Sequence, residues 1–149
     1  MKSKTQNQGQ EPLILPPAYT KVTPSESFPD PKYGNVTWHT LFSAPRTKTS
    51  DLSAGIAVCP TGTGHLCAHR HTQPEIYYII EGEGEVTIDG EKSRVTAGST
   101  VFIPGDAEHG IVNIGKGELR WFYVFAVGSF EDVVYRFSND RDEEPKAKL

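Results

Sequence analysis

The segment Ala68-His69-Arg70-His71-Thr72-Gln73-Pro74-Glu75-Ile76-Tyr77-Tyr78 puts two of the chain's five histidines one residue apart, with a carboxylate and two tyrosines after them. In extended backbone, side chains alternate, so Cys67, His69, His71, Glu75 and Tyr77 fall on one face unless Pro74 introduces a bulge. Two imidazoles at i and i+2 with a nearby carboxylate suit a divalent cation, and three ligands leave the site open. His109 is the candidate for a further ligand, because it follows a short apolar run ended by Pro104 and precedes another. Such a centre could polarise a carbonyl or carboxylate oxygen and stabilise developing negative charge, or it could bind O2. Tyr77 would point its phenol toward the same interior. There it could act as a general base, donate a hydrogen bond to a substrate oxyanion, or serve as a core aromatic.

The surrounding sequence favours strands as the elements that position these groups. From Asn35 onward, short runs rich in Val, Ile, Thr, Phe, Trp and Tyr are separated by Gly, Pro and Asp. Strands are predicted at 36–42, 52–59, 75–80, 85–88, 92–96, 100–103, 110–114 and 119–127. Asp89-Gly90 suits the positive φ angles of a tight hairpin turn between two of them. In the run LRWFYVFAV, Trp121, Tyr123 and Phe125 alternate with Phe122, Val124 and Ala126, so one set lines the interior and the other packs outward. The 129–137 segment is read as a short turn or a last strand. Prolines at 12, 16, 17, 24, 29 and 31 argue against helix and for an extended wrapping segment over 12–35. The polar residues 1–11 are expected to be a disordered arm and 138–149 a charged tail, around one all-β domain over 36–137.

These motifs resemble those of the cupin superfamily, a family of small β-barrels, specifically its single-domain, RmlC-like members. The first motif of that family, G-x5-HxH-x3,4-E-x6-G, is matched by His69, His71, Glu75 and Gly82, with Gly64 one residue closer than usual. The second, G-x5-PxG-x2-H-x3-N, is matched by Gly98, Pro104, His109 and Asn113, with Asp106 where glycine is usual. The match spans 64–113, about a third of the chain. The resemblance implies a double-stranded β-helix, or jelly-roll barrel. It also implies that His69, His71, Glu75 and His109 hold one divalent metal ion, with Fe, Mn, Ni, Co and Zn all open. The run His-x-His-x3-Glu-Ile-Tyr-Tyr is further similar to that of cupin-type dimethylsulfoniopropionate lyases, in which a tyrosine at this place takes part in β-elimination. A lyase, isomerase or decarboxylase acting on a small organic acid or carbonyl compound is the expected activity. An Fe(II) dioxygenase is the alternative, and a non-catalytic small-molecule-binding protein the third reading. The family also implies a homodimer, paired through the N-terminal segment.

Composition narrows the partners. With 149 residues the chain suits one domain, and a formal charge of −4 without any Lys/Arg run argues against a nucleic-acid backbone. No apolar run reaches membrane-spanning length and the first residues lack a signal-peptide core, so a cytoplasmic protein is expected. Ala147-Lys148-Leu149 resembles a Ser-Lys-Leu peroxisomal address, which applies only in a eukaryotic cell. Cys59 and Cys67 are expected as reduced thiols, with Cys67 on the His69 face. Arg70 is assigned to the surface, His39 and His65 to surface or loop positions, and Glu81, Glu83 and Glu85 to a solvated hairpin.

Overall fold

The computed structural model describes residues 10–142, and these fold as two antiparallel sheets packed face to face. The strands are β1 (Glu26–Ser27), β2 (Thr37–Phe42), β3 (Ser53–Cys59), β4 (His65–Arg70), β5 (Glu75–Glu81), β6 (Glu83–Ile88), β7 (Glu91–Thr96), β8 (Thr100–Ile103), β9 (His109–Asn113), β10 (Leu119–Phe125) and β11 (Arg136–Phe137). One sheet has the order β1-β2-β3-β10-β5-β8 and the other β11-β4-β9-β6-β7. This is the all-β, double-stranded barrel expected from the strand pattern, and its core lies between the sheets.

Alternation decides which residues face that core. On β10, Leu119, Trp121, Tyr123 and Phe125 point inward and are buried, while Arg120, Phe122 and Val124 point out. The β6–β7 hairpin turns at Asp89 and Gly90, both with positive φ (47° and 83°), as the dipeptide predicts. At Gly55 on β3 the Tyr123 ring crosses the backbone so closely that a Cβ would sit 2.2 Å from the phenol oxygen. Only glycine leaves that space free.

Several local expectations are corrected. The strand β4 carries His69 and was absent from the predicted set, because HLCAHR has no regular apolar alternation. A bulge in β4 explains this: Leu66 pairs with Ile111 and His69 with His109, so one extra residue lies between them. Leu66 and His69 therefore both face inward, and Cys67 does not share the His69 face. Its thiol donates instead to the Lys32 carbonyl at 3.3 Å. The proline-rich segment also contains helix: α1 (Tyr19–Val22) is a single turn that starts just after Pro16-Pro17, where the lost amide donors would have been unpaired in any case, and Pro31–Tyr33 forms a 3-10 turn. The arm's last two residues are anchored, Gln10 Nε2 to Asp51 at 2.7 Å and the Glu11 amide to the Lys48 carbonyl at 2.8 Å. The tail begins with α2 (Ser138–Asp142), whose Asp140 accepts from the Tyr33 hydroxyl and pairs with Lys32. The 129–137 segment holds both a 3-10 turn, Phe130–Asp132, and β11. Residues 1–9 and the Ala147-Lys148-Leu149 end lie outside the described residues.

Candidate metal centre

The site joins the two sheets. His69 and His109 come from paired positions of β4 and β9, His71 from the turn just after β4, and Glu75 from the first residue of β5 in the opposite sheet. All four are buried, at 0%, 1%, 1% and 4% exposure for His69, His71, His109 and Glu75. One nitrogen from each imidazole lies within 4.8 Å of the others. Glu75 Oε1 is 3.3 Å from both His71 Nε2 and His109 Nε2.

Main-chain carbonyls orient the rings. His69 Nδ1 bonds the Cys67 carbonyl at 2.7 Å, His71 Nδ1 the Gln73 carbonyl at 2.8 Å and His109 Nδ1 the Ala107 carbonyl at 2.9 Å. A carbonyl can only accept, so each Nδ1 carries the proton and each Nε2 is left with a lone pair, or with a second proton in the imidazolium form. His69 Nε2 and His71 Nε2 are buried without a hydrogen-bond partner. Burial, reinforced by the neighbouring His109, holds the His69 pKa well below the usual imidazole value, which favours the neutral ring that a cation requires. Convergent lone pairs beside a carboxylate are costly when empty and complementary to a divalent cation, so the donor set fits one.

The cupin-domain family matches residues 55–125. Dimethylsulfoniopropionate lyase DddW of Ruegeria pomeroyi is 49% identical over 110 residues, covering 73% of this chain and 70% of that protein. The chain is a cupin. Among solved structures, a protein of Thermotoga maritima described as a predicted oxalate decarboxylase aligns at 27% identity and TM-score 0.58, covering 69% of this chain and 91% of its own. The polyketide cyclase RemF of Streptomyces resistomycificus aligns at TM-score 0.67 over 84% of this chain and 86% of its own, and at 18% identity it supports the fold alone.

Beside Glu75 this cupin holds a narrow cavity of about 20 Å3, room for one water molecule. Phe28, Trp38, Trp121, Phe130 and Tyr135 form most of its wall, and Glu75, Tyr77 and Tyr123 reach into it. Among these lining residues no side chain is cationic. Trp38 Nε1 is buried without a partner, and the Tyr123 hydroxyl lies beside the Thr40 hydroxyl, which donates to Glu26 at 2.6 Å.

Tyr77 is placed as its parity predicts, 2% exposed, with its ring 6.5 Å from His109 and 5.3 Å from Trp121. Burial, and then the Glu75 carboxylate, raise its pKa well above the ordinary phenol value. Tyr78 faces outward.

Tyr135 was not singled out from the sequence. Its ring lies 4.8 Å from His69 and 5.5 Å from His71, and burial and Glu75 raise its pKa as well. The only signal was the Val-Tyr-Arg-Phe alternation, which says nothing about which core it enters.

His39 and His65 stand apart from the cluster, at Thr23 and the Thr63 carbonyl. Arg70 bonds the Asp106 carbonyl near the surface. Asn113 is structural: its amide donates to the carbonyls of Pro60 and Gly117 and ties two loops together. Glu81, Glu83 and Glu85 pair with Arg120, Arg94 and Lys92 at the solvated rim. Among the described residues, no helix is long and apolar enough to cross a membrane.

Proposed function

We propose that this cupin is a metal-dependent lyase that eliminates across the Cα–Cβ bond of a small 3-substituted carboxylic acid, with dimethylsulfoniopropionate as the leading substrate. His69, His71, Glu75 and His109 hold one divalent ion, and Tyr77 is the catalytic acid/base. The observation that carries the reading is the convergence of buried imidazole lone pairs on one carboxylate, Glu75, which itself lines an aromatic cavity that Tyr77 enters. Half-identity to a lyase over most of the chain supports the substrate class.

A divalent ion in this site supplies a Lewis acid for a substrate carboxylate oxygen and a positive charge that lowers the pKa of a nearby phenol. The chain's residues account for the rest. With no cationic side chain in the wall, the substrate carboxylate is directed to the imidazole end, and the aromatic rings face the onium end, where cation–π attraction operates. For this step Tyr77 would act as the phenolate, against the upward push of burial and Glu75 and with the help of a bound cation's charge, and its Oη would accept the Cα proton. The electron pair left behind forms the Cα=Cβ double bond, the Cβ–S bond breaks, and neutral dimethyl sulfide and acrylate leave. The cavity as described holds no more than a water molecule, so the aromatic wall must open to admit a substrate and then close over it, which would exclude water from the reacting carbons.

The test is incubation of protein loaded in turn with Fe, Mn, Ni, Co or Zn with dimethylsulfoniopropionate, following dimethyl sulfide and acrylate. Stoichiometric release without O2 uptake is expected, and Tyr77→Phe should retain the metal and lose about 100-fold or more in rate. Failure of every metal to support release, or full activity in Tyr77→Phe, refutes the assignment. Substrate loss that tracks O2 uptake would replace it with the dioxygenase reading.

A further inference from the structure

One register row of the larger sheet runs from the cavity to the surface. Tyr123 on β10 pairs with Gly55 on β3, and Gly55 pairs with Thr40 on β2. Because Gly55 has no side chain, the Tyr123 ring can lie across its backbone; a Cβ there would meet the phenol oxygen at 2.2 Å. That passage brings the Tyr123 hydroxyl beside the Thr40 hydroxyl. The Thr40 hydroxyl donates to Glu26 Oε2 at 2.6 Å, and Arg46 holds Glu26 Oε1 at 2.8 Å. Exposure rises along the row: Tyr123 is 5% exposed, and the side chains of Glu26 and Arg46 are 29% and 55% exposed.

The chemistry of these groups gives the row a direction. Burial pushes the Glu26 carboxyl up, but Arg46 and Thr40 together outweigh it and hold its pKa below the usual value, so Glu26 is ionised and can only accept. Thr40 spends its one proton on that carboxylate and offers Tyr123 its lone pairs. Both hydroxyls therefore donate outward. At the inner end Tyr123 is the register partner of Tyr77, and both reach into the cavity, where one water molecule has room to join them.

We propose that Tyr123, Thr40 and Glu26 form a proton path that drains the cavity to solvent at Glu26. The inference rests on the lyase reading for the source of the proton. Each elimination takes one proton from Cα, and neither acrylate nor dimethyl sulfide carries it away. Tyr77 passes that proton through the water to Tyr123 Oη as the Tyr123 proton moves to Thr40 Oγ1 and the Thr40 proton moves to Glu26 Oε2. Neither hydroxyl in the path keeps a charge, Glu26 releases the proton to solvent, and Tyr77 is ready for the next substrate. The same contacts also tie β1 to β2, since the Thr40 amide donates to Glu26 at 3.3 Å, so the test must separate proton transfer from stability.

Thr40→Val keeps the shape of the side chain and removes its hydroxyl. In metal-loaded protein, Thr40→Val and Tyr123→Phe should each lower kcat about 10-fold or more with KM unchanged, and the double variant should fall no further, because both cut one path. The solvent isotope effect on kcat should rise above that of the parent, and Thr40→Ser should restore both. Melting curves and metal content identify a variant that has merely lost stability. A second measurement needs no turnover. In Zn-loaded protein carrying carbon-13 at tyrosine Cζ, exchange of the Tyr123 hydroxyl with solvent is read by NMR from the isotope shift in mixed H2O and D2O. Thr40→Val should slow that exchange about 10-fold or more, and Thr40→Ser should recover it. Parent kcat and isotope effect in Thr40→Val, as expected if the proton leaves with bulk water when the wall opens, overturn the proposal. Hydroxyl exchange that is unchanged or faster in Thr40→Val overturns it too. Absence of any turnover in the parent defeats the lyase reading, and the exchange measurement still decides the path.

Discussion

Metal loading should stabilise the fold by an amount set by the buried cluster, and this can be measured without knowing the substrate. In the cation-free protein, two imidazole nitrogens are buried without partners, at a cost of about 1–3 kcal/mol each. The rings are pre-oriented by bonds of 2.7, 2.8 and 2.9 Å to main-chain carbonyls, so binding orders little that is not already ordered. A cation at about 100 times its Kd stabilises the folded state by about 2.7 kcal/mol. For a chain of this length each kcal/mol raises Tm by roughly 2–4 °C, so a rise of about 5–10 °C is expected in calorimetry. His71→Ala or Glu75→Gln should remove most of that rise, and chelator should reverse it in the parent protein. His39→Ala and His65→Ala, which alter histidines outside the cluster, should leave it intact. A Tm unmoved by Ni, Co, Mn, Fe and Zn, or an equal rise in the cluster variants and the two controls, would refute the reasoning.

Three further outcomes follow from packing and protonation. Gly55→Ala should cost about 3 kcal/mol in denaturant unfolding, because its Cβ meets both the Tyr123 hydroxyl at 2.2 Å and the His39 carbonyl at 2.6 Å. Adding Tyr123→Phe should recover only part of that loss, since the backbone contact remains. Burial pushes the Cys59 thiol up to about 12, so native protein near pH 8 should resist alkylation at Cys59 until it is unfolded. His69 is held neutral by burial, so below pH 6.5 the unfolded chain takes up a proton there that the folded cation-free protein does not. Stability should therefore fall with pH by up to about 1.4 kcal/mol per unit from this residue, and His69→Gln should flatten the pH profile of urea unfolding; an unchanged profile would count against the burial argument.

The legible features were those carried by local geometry. Asp89-Gly90 announced its hairpin because few residues accept two successive positive φ angles. The alternation in LRWFYVF separated inward from outward residues, because a strand's side-chain period holds wherever pairing is regular. Where the ladder shifts, that inference fails. The β4 bulge moved Cys67 off the His69 face, and no residue type in HLCAHR signals an inserted residue. The helical turn at Tyr19–Val22 escaped notice because prolines count against helix only from its interior, not from just before its start.

By itself, the sequence determined the all-β architecture, the parity that puts Glu75 and Tyr77 on one face, and a set of donors with metal-binding chemistry. These depend on neighbours within a few residues, where covalent geometry dictates direction. Only the tertiary structure decided that Glu75 crosses from one sheet to meet imidazoles held by the other. It alone brought Tyr135 from the far end of the chain against His69, and set Trp38 and Tyr123 around a common cavity. It also placed Ile76, Tyr78 and Phe102 side by side on an outer face. Such contacts arise from strand order and register between segments distant in sequence, and no local rule of spacing specifies those.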